Sequence, residues 1–199
     1  QNNIFKAFFS FVEHMLFFRS LEDRTYMGLQ DTGKRSLTED IIEWGNVEDF
    51  ELFLNKANIN CKLSVVESLD RKDLAFDFNG KKLLMTEIMS TGTSALTLFY
   101  CWYQRIRKNE VSFLFIDEFD AFYHHDLSKM IVETLKEIGV QFILTTHNTS
   151  ILSNDLLRPD CYFLMNKKKI KSLSNSTDKE LREAHNIEKM YKAGAFNVD

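Results

Sequence analysis

Apolar side chains recur along this chain with a helical period in some stretches and in short unbroken runs in others. Residues 4–18 are apolar on nearly every side, which predicts a helix that is buried or that packs against something outside this sequence. Residues 19–36 are largely polar, with Gly28 and Gly33 as breakers, and are expected to form a loop. Two helices are predicted next, at 37–44 and 47–57.

Strands and helices alternate in the rest of the chain. Alternation of apolar and polar residues predicts strands at 61–68 and 73–79. From residue 83 the order becomes helix, strand, helix, strand, and such repeats fold into a parallel sheet with buried central strands. The predicted ranges are helix 93–108, strand 113–116, helix 126–138, strand 140–144, strands 161–165 and 169–173, and a last helix 179–192. The predicted fold class is α/β.

Composition and charge narrow the class of protein. Apolar residues make up 44% of the 199 residues, which is typical of a folded globular domain. The net charge of −4 gives no overall basic field of the kind that nucleic-acid-binding domains use. The basic run of Lys167, Lys168, Lys169 and Lys171 is interpreted as a solvent-exposed hairpin turn.

Cysteine usage and hydropathy indicate the compartment. Cys61, Cys101 and Cys161 are odd in number and widely spaced among apolar residues, which favours buried thiols in a reducing environment. No stretch is long and apolar enough to cross a membrane and no signal peptide is recognised, so a cytoplasmic protein is expected. The chain opens with Gln1 rather than Met, so we expect it to be a piece of a longer protein.

An apolar run that ends in two acids is the strongest chemical signal. Residues 111–118 read Val-Ser-Phe-Leu-Phe-Ile-Asp-Glu. This pattern predicts Asp117 and Glu118 at the carboxyl edge of a parallel sheet, where ligands bind in open α/β folds. Asp117 there is suited to hold Mg²⁺ through water, and Glu118 to polarise a water for attack on a γ-phosphate. Taken alone, the pattern also fits a buried strand followed by surface acids.

Two further motifs end or begin elements in the same region. The apolar strand Ile143-Leu-Thr-Thr-His147 also has a polar end, and a histidine there is suited to hydrogen-bond a γ-phosphate or the attacking water. Ser90-Thr91-Gly92-Thr93 opens a helix, whose free backbone N–H groups suit an anion. Taken singly, a structural histidine and a simple helix cap are the plainer interpretations.

In their order, these motifs resemble the signature motif, Walker B motif and switch histidine of ABC-type ATPases, most closely the SMC and RecF branch. Asp120, three residues after Asp117, resembles the D-loop aspartate of that branch, and the resemblance covers residues 83–166. A narrower resemblance is to a bacterial AAA-15-type ATPase family often encoded beside restriction or phage-defence genes. It rests on Phe17-Phe-Arg-Ser-Leu, Phe119-Asp-Ala-Phe-Tyr-His, Thr145-Thr-His-Asn-Thr and Arg182-Glu-Ala-His-Asn-Ile-Glu-Lys-Met-Tyr.

The resemblance implies a three-layer, P-loop-NTPase-like sheet and a site shared by two copies. Two heads would form a homodimer, head to tail, with ATP and Mg²⁺ between them. The segment from Ser90 through Thr91 and Gly92 to Thr93 would face the nucleotide of the other subunit, and Asp120 would cross the interface. This segment departs from the usual Leu-Ser-Gly-Gly form. The residues that would serve the subunit's own nucleotide are Asp117, Glu118 and His147.

Such an ATPase needs a phosphate loop, whose pattern is G-x-x-x-x-G-K-[ST] after a strand. One stretch of this sequence matches the pattern in part. Gly28, Gly33 and Lys34 have the required spacing, but Arg35 stands where a Mg²⁺-binding Ser or Thr belongs. The flanking residues are too polar for a buried strand, so we interpret Lys34 as a loop residue. The resemblance places the true phosphate loop upstream. Residues 1–60 are therefore expected to be a helical segment at the end of an arm, and residues 61–199 the C-terminal lobe of the head.

The resemblance predicts an ATP-hydrolysing dimerisation switch in bacterial anti-phage defence or DNA-linked processes. This chain by itself is expected to be inactive, because the half with the phosphate loop is missing or is a separate partner. An effector protein and DNA are further expected partners, whereas no membrane is. Two other function classes stay open: a metal-dependent nuclease that uses Asp117, Glu118 and Asp120, and a non-catalytic oligomerisation module.

Overall fold

The computed structural model describes residues 2–19, 27–28, 36–68, 71–182 and 184–197. Two compact units are formed, the first from Gln1–Tyr123 with Leu135–Thr145 and the second from His124–Thr134 with Thr146–Asp199. The helices and strands are, in chain order, α1 (Asn2–Glu13), β1 (Met15–Arg19), β2 (Met27–Gly28), α2 (Leu37–Glu43), α3 (Val47–Lys56), β3 (Leu63–Ser68), β4 (Arg71–Phe78), β5 (Lys81–Leu84), α4 (Met85–Ile88), α5 (Thr91–Arg107), β6 (Phe113–Asp117), α6 (His125–Lys136), β7 (Gln141–Leu144), β8 (Phe163–Met165), β9 (Ile170–Ser172) and α7 (Ile187–Lys192).

The main sheet of the first unit has the order β2-β1-β6-β7. Strands β1, β6 and β7 are parallel, and β2 runs antiparallel beside β1. One face of β1 and β6 is buried, whereas on the other face the rings of Phe17 and Phe115 stack at 5.1 Å. Trp102 of α5 lies 6.4 Å from Phe18 on the buried face, so α5 covers that side. The predicted α/β fold, with parallel strands and flanking helices, is confirmed.

The predicted helix at 4–18 is wrong in its second half. The helix ends at Glu13, and residues 15–19 form β1, which pairs in parallel with β6 along its whole length. A short apolar run fits a strand as well as a helix, and only the pairing with a strand nearly a hundred residues away decides between them. No residue of α1 is buried, which excludes the first of the two predicted alternatives, burial within this chain. Its packing against something outside this sequence stays a prediction.

The helices and the second sheet of the first unit agree well with the predicted pattern. Helices α2, α3 and α5 pack together, and β3, β4 and β5 form an antiparallel meander. Ser36 starts α2 with a capping box, because its hydroxyl accepts the Glu39 N–H at 3.2 Å and its own N–H donates to the Glu39 carboxylate at 2.8 Å. The predicted helices 37–44 and 47–57 and strands 61–68 and 73–79 are confirmed within a few residues.

The second unit is built from short elements. Strands β8 and β9 form the predicted hairpin, with Lys167, Lys168 and Lys169 exposed at its turn. The predicted helix 179–192 is too long, because α7 begins only at Ile187. Asn186 caps it by accepting the Lys189 N–H at 2.8 Å, and the charged residues before Asn186 offer no apolar stripe that would extend it. Among the described helices, none has the length and apolar character required to cross a bilayer.

The three cysteines are all free and differ in exposure. Cys101 is buried and Cys61 is half-buried, but Cys161 is exposed, so the predicted burial of all three thiols is wrong for Cys161. That residue ends a short 3-10 turn in the second unit, where its apolar neighbours in sequence do not enclose it. The three thiols should therefore differ in reactivity.

Alkylation with iodoacetamide at pH 8 is expected to modify Cys161 first. Burial, with a contribution from the Glu51 carboxylate, raises the pKa of Cys61 to about 11. At pH 8 only about one Cys61 in a thousand is then the reactive thiolate. Peptide mass mapping over a time course measures the order, with unfolded protein as the control in which all three react. Labelling of Cys61 ahead of Cys161 in the folded protein would contradict this assignment.

Candidate functional site

Asp117, the last residue of β6, contacts groups at the ends of both neighbouring strands. Its Oδ1 accepts a hydrogen bond from the Thr145 hydroxyl at 2.5 Å, directly after β7. Its Oδ2 lies 3.0 Å from Nε of Arg19, the last residue of β1. Both oxygens of the acid at the carboxyl edge of the sheet are thus engaged by the adjacent strands.

Glu118 adopts an unusual backbone conformation at the same edge. Its φ is +48°, in the left-handed region that residues other than glycine rarely occupy. Its N–H donates to Thr145 Oγ1 at 2.8 Å, and its carbonyl accepts the Ala121 N–H at 3.1 Å. A conformation of this kind costs about 1–3 kcal/mol, so it persists only where surrounding contacts hold the backbone in place. Such strained residues are common at active sites.

Thr145 joins these two acids, and the sequence reasoning missed it. The hydroxyl donates to Asp117 and accepts from the Glu118 N–H. The backbone N–H of Thr145 donates to the Ile116 carbonyl at 3.0 Å, and its carbonyl accepts the Phe119 N–H at 3.1 Å. The available signal was a threonine immediately after the strand next to Asp117. Arg19 was missed for another reason, since it was placed in a loop after a predicted helix.

The Ser90–Thr93 segment begins α5 as predicted. Ser90 is the N-cap, and its hydroxyl accepts the Thr93 N–H at 3.2 Å. A Cβ added to Gly92 would lie 3.2 Å from the carbonyl oxygen of Phe122. The start of α5 is therefore packed closely against the turn that follows Glu118, and the absence of a side chain at residue 92 permits this approach.

Asp120 lies in that turn and is largely buried, with 8% of its surface exposed. Its carbonyl accepts the Tyr123 N–H at 3.0 Å. Burial raises the pKa of the Tyr123 hydroxyl well above its usual range, and the nearby Asp120 carboxylate contributes to this shift. The predicted position of Asp120 at an interface between two copies stays a prediction.

The other predicted site residues belong to the second unit, to β2 or to the part of the chain outside the described residues. His147 is exposed and belongs to the second unit, so its role at the nucleotide stays a prediction. Gly33, Lys34 and Arg35 lie outside the described residues. Gly28 lies in β2, which pairs antiparallel to β1. A phosphate loop follows a strand of the parallel set, so the position of Gly28 does not favour one here.

The donor atoms at the Asp117 edge fit one kind of metal site. Within the described ranges, no group of three or more His, Cys, Asp or Glu could hold a metal ion, so Asp117, Glu118 and Asp120 do not form a nuclease-like cluster. The carboxylate of Asp117 supplies oxygen donors, which Mg²⁺ prefers, and the Thr145 hydroxyl orients this carboxylate. Because Mg²⁺ commonly uses one or two carboxylates and completes its shell with water and phosphate, this donor set fits a nucleotide-bound Mg²⁺.

Comparison with known families agrees with this geometry. A family model described as "AAA domain, putative AbiEii toxin, Type IV TA system" matches residues 5–153. The chain belongs to this family. This AAA domain is therefore of the P-loop ATPase type, with a nucleotide-binding function, and the match covers β1, β6 and β7 together with the Ser90–Thr93 segment. No curated protein matches the chain.

Proposed function

We propose that this AAA domain is the catalytic portion of an ATP-hydrolysing ABC-type head that works as a nucleotide-driven dimerisation switch. The observation that carries the proposal is the junction of Asp117, Glu118 and Thr145 at the carboxyl edge of parallel strands. Buried strands deliver two acids to the edge where α/β folds bind ligands, and a strained residue directly follows the first acid.

Each residue of the junction has a role in the proposed reaction. Asp117 would hold a water-ligated Mg²⁺, which neutralises charge on the transferring phosphate when it is bound. Glu118 orients the attacking water and accepts its proton. Thr145 fixes the Asp117 carboxylate and the Glu118 backbone relative to each other through a single hydroxyl. His147, three residues after β7, is proposed to contact the γ-phosphate or the attacking water.

The phosphate loop is proposed to come from a further strand beside β7. In the described part of the main sheet, β7 is an edge strand, and Ile143 is 48% exposed. Apolar parallel strands are normally covered on both sides. The unpaired backbone N–H and C=O groups of an edge strand can form hydrogen bonds with a further strand. A parallel strand followed by the phosphate loop, from an N-terminal lobe or a separate chain, would cover this edge and bring the nucleotide to Asp117.

Dimerisation is proposed to use the segment that begins α5. Residues Ser90, Thr91, Gly92 and Thr93 would face the nucleotide of a second copy, together with Asp120. The close approach of Gly92 to the Phe122 carbonyl supports this, because it joins the two segments into one surface of the first unit. The dimer would signal to an effector protein or to DNA in anti-phage defence. The matched family's description, which names a putative toxin, is consistent with that role.

Calorimetric titration of Mg-ATP into the chain tests where the phosphate loop lies. We expect no binding to the wild type, to Lys34→Ala or to the matched control Lys168→Ala in the exposed hairpin turn. Absence of binding in all three supports a loop supplied from elsewhere. Binding that is lost in Lys34→Ala but kept in Lys168→Ala would contradict this part of the proposal, because it would place a working loop at residues 28–35.

A further inference from the structure

We propose that Arg19 is a positioning residue that occupies the Asp117 carboxylate when no metal is bound and releases it to the incoming divalent cation. This inference rests on the proposed function, since it concerns the acid that would hold Mg²⁺. It adds a residue to which the sequence analysis gave no role at the site, and a step that precedes hydrolysis. The relevant contact is the ion pair between Arg19 Nε and Asp117 Oδ2, at 3.0 Å.

The sheet itself positions Arg19 for this role. Arg19 and Asp117 are register partners at the last position of the parallel pair β1 and β6. Two residues earlier, on the same faces of the strands, the rings of Phe17 and Phe115 stack at 5.1 Å and an interplanar angle of 21°. The guanidinium is therefore presented to Asp117 by paired backbone and stacked rings.

The two oxygens of Asp117 are held by groups of different kinds. Oδ1 accepts from the neutral Thr145 hydroxyl, whereas Oδ2 faces the cationic Arg19. A divalent cation bound to this carboxylate would compete with the guanidinium for Oδ2. Both groups are positively charged, so they repel each other and cannot both have their full attraction to one oxygen. Exchange at Oδ2 leaves the hydrogen bond at Oδ1 in place. Thr145 would thus keep the carboxylate oriented while its charged partner changes.

The exposure of the ion pair makes such an exchange feasible. The side chains of Arg19 and Asp117 are 38% and 29% exposed, although the Nε atom of Arg19 is itself buried. Ion pairs with access to water contribute about 0–1 kcal/mol, so a cation can displace the guanidinium at low cost.

Titration of Mn²⁺ into the nucleotide-free protein, followed by electron paramagnetic resonance of the free ion, tests this role without any activity assay. Arg19→Gln is expected to bind Mn²⁺ about two- to five-fold more tightly than the wild type, because the competing charge is gone. Arg19→Lys keeps the charge and should fall between the two. Arg105→Gln is the matched control, since Arg105 Nε also lies 3.0 Å from a carboxylate, that of Glu110, and its affinity should equal that of the wild type.

Asp117→Asn separates this inference from the proposed function. If Asp117→Asn loses Mn²⁺ binding while Arg19→Gln binds no more tightly than the wild type, the role of Arg19 is overturned and the metal assignment to Asp117 stands. If Asp117→Asn binds Mn²⁺ as well as the wild type, the metal assignment itself is overturned, and the role of Arg19 with it. Circular dichroism of every variant establishes that each is folded before the affinities are compared.

Discussion

Replacement of Glu118 by Gln is expected to lower ATP turnover by about 10²- to 10⁴-fold in the complete protein, with ATP binding retained. Glutamine has the size of glutamate and keeps hydrogen-bonding groups, but it does not accept the proton of the attacking water. The backbone of residue 118 is held through its N–H and carbonyl, which the substitution leaves unchanged. Single-turnover release of phosphate measures the chemical step directly.

The same variant should also accumulate an ATP-bound dimer, because the proposed switch reopens only after hydrolysis. Size-exclusion chromatography with ATP and Mg²⁺ detects this species. Glu133→Gln is the matched control, since Glu133 is exposed on α6, and it should behave as the wild type. Wild-type turnover in Glu118→Gln would remove Glu118 from the proposed role, and a monomer at saturating ATP would argue against the dimerisation switch.

Replacement of Thr145 by Val is expected to lower the free energy of unfolding by about 2 kcal/mol. Valine has nearly the same shape as threonine but lacks the hydroxyl. The Asp117 Oδ1 and the Glu118 N–H would both lose the group that joins them. Hydrogen bonds to charged groups contribute about 1.5–3 kcal/mol, and the strained backbone at Glu118 would lose one of its restraints. Urea denaturation monitored by tryptophan fluorescence measures the change.

Thr145→Ser is the matched control for this prediction, because serine keeps the hydroxyl and removes only the methyl group. It should recover most of the stability lost in Thr145→Val. In the complete protein, ATP turnover should follow the same order, since Glu118 must be positioned to meet the attacking water. Equal losses in the Val and Ser variants would show that packing of the methyl group, rather than the hydroxyl, holds this edge of the sheet.

The part of the fold that was predicted well is the part with strong local periodicity. Helix α5, strand β6 and helix α6 lie within a few residues of their predicted ranges. Long apolar stripes distinguish these helices, and the short unbroken run before Asp117 distinguishes the strand. The errors fall where the local pattern is ambiguous. Residues 15–18 fit both a helix and a strand, and residues 179–186 have helix-forming residues without an apolar stripe.

Some residues of the candidate site could be recognised from the sequence, and others only from the structure. Asp117, Glu118 and the Ser90–Thr93 segment lie at the ends of elements as the sequence predicted, because each directly ends or begins a recognisable element, while their roles stay predictions. Thr145 and Arg19 lie in stretches that carry the family resemblance, but neither was assigned a role, since each acts only through its neighbour in the sheet. The left-handed backbone of Glu118 has no signal in the sequence either, because an acid at that position is ordinary in composition.

The sequence by itself determined that this protein is an α/β domain with two acids after a buried strand, since alternation and apolar runs are local properties of the chain. Only the tertiary structure decided that Met15–Arg19 is a strand beside β6 and that Arg19 and Thr145 hold the two oxygens of Asp117. These partners lie 98 and 28 residues from Asp117 along the chain. Their meeting depends on the free energy of pairing distant strands, which no local pattern encodes.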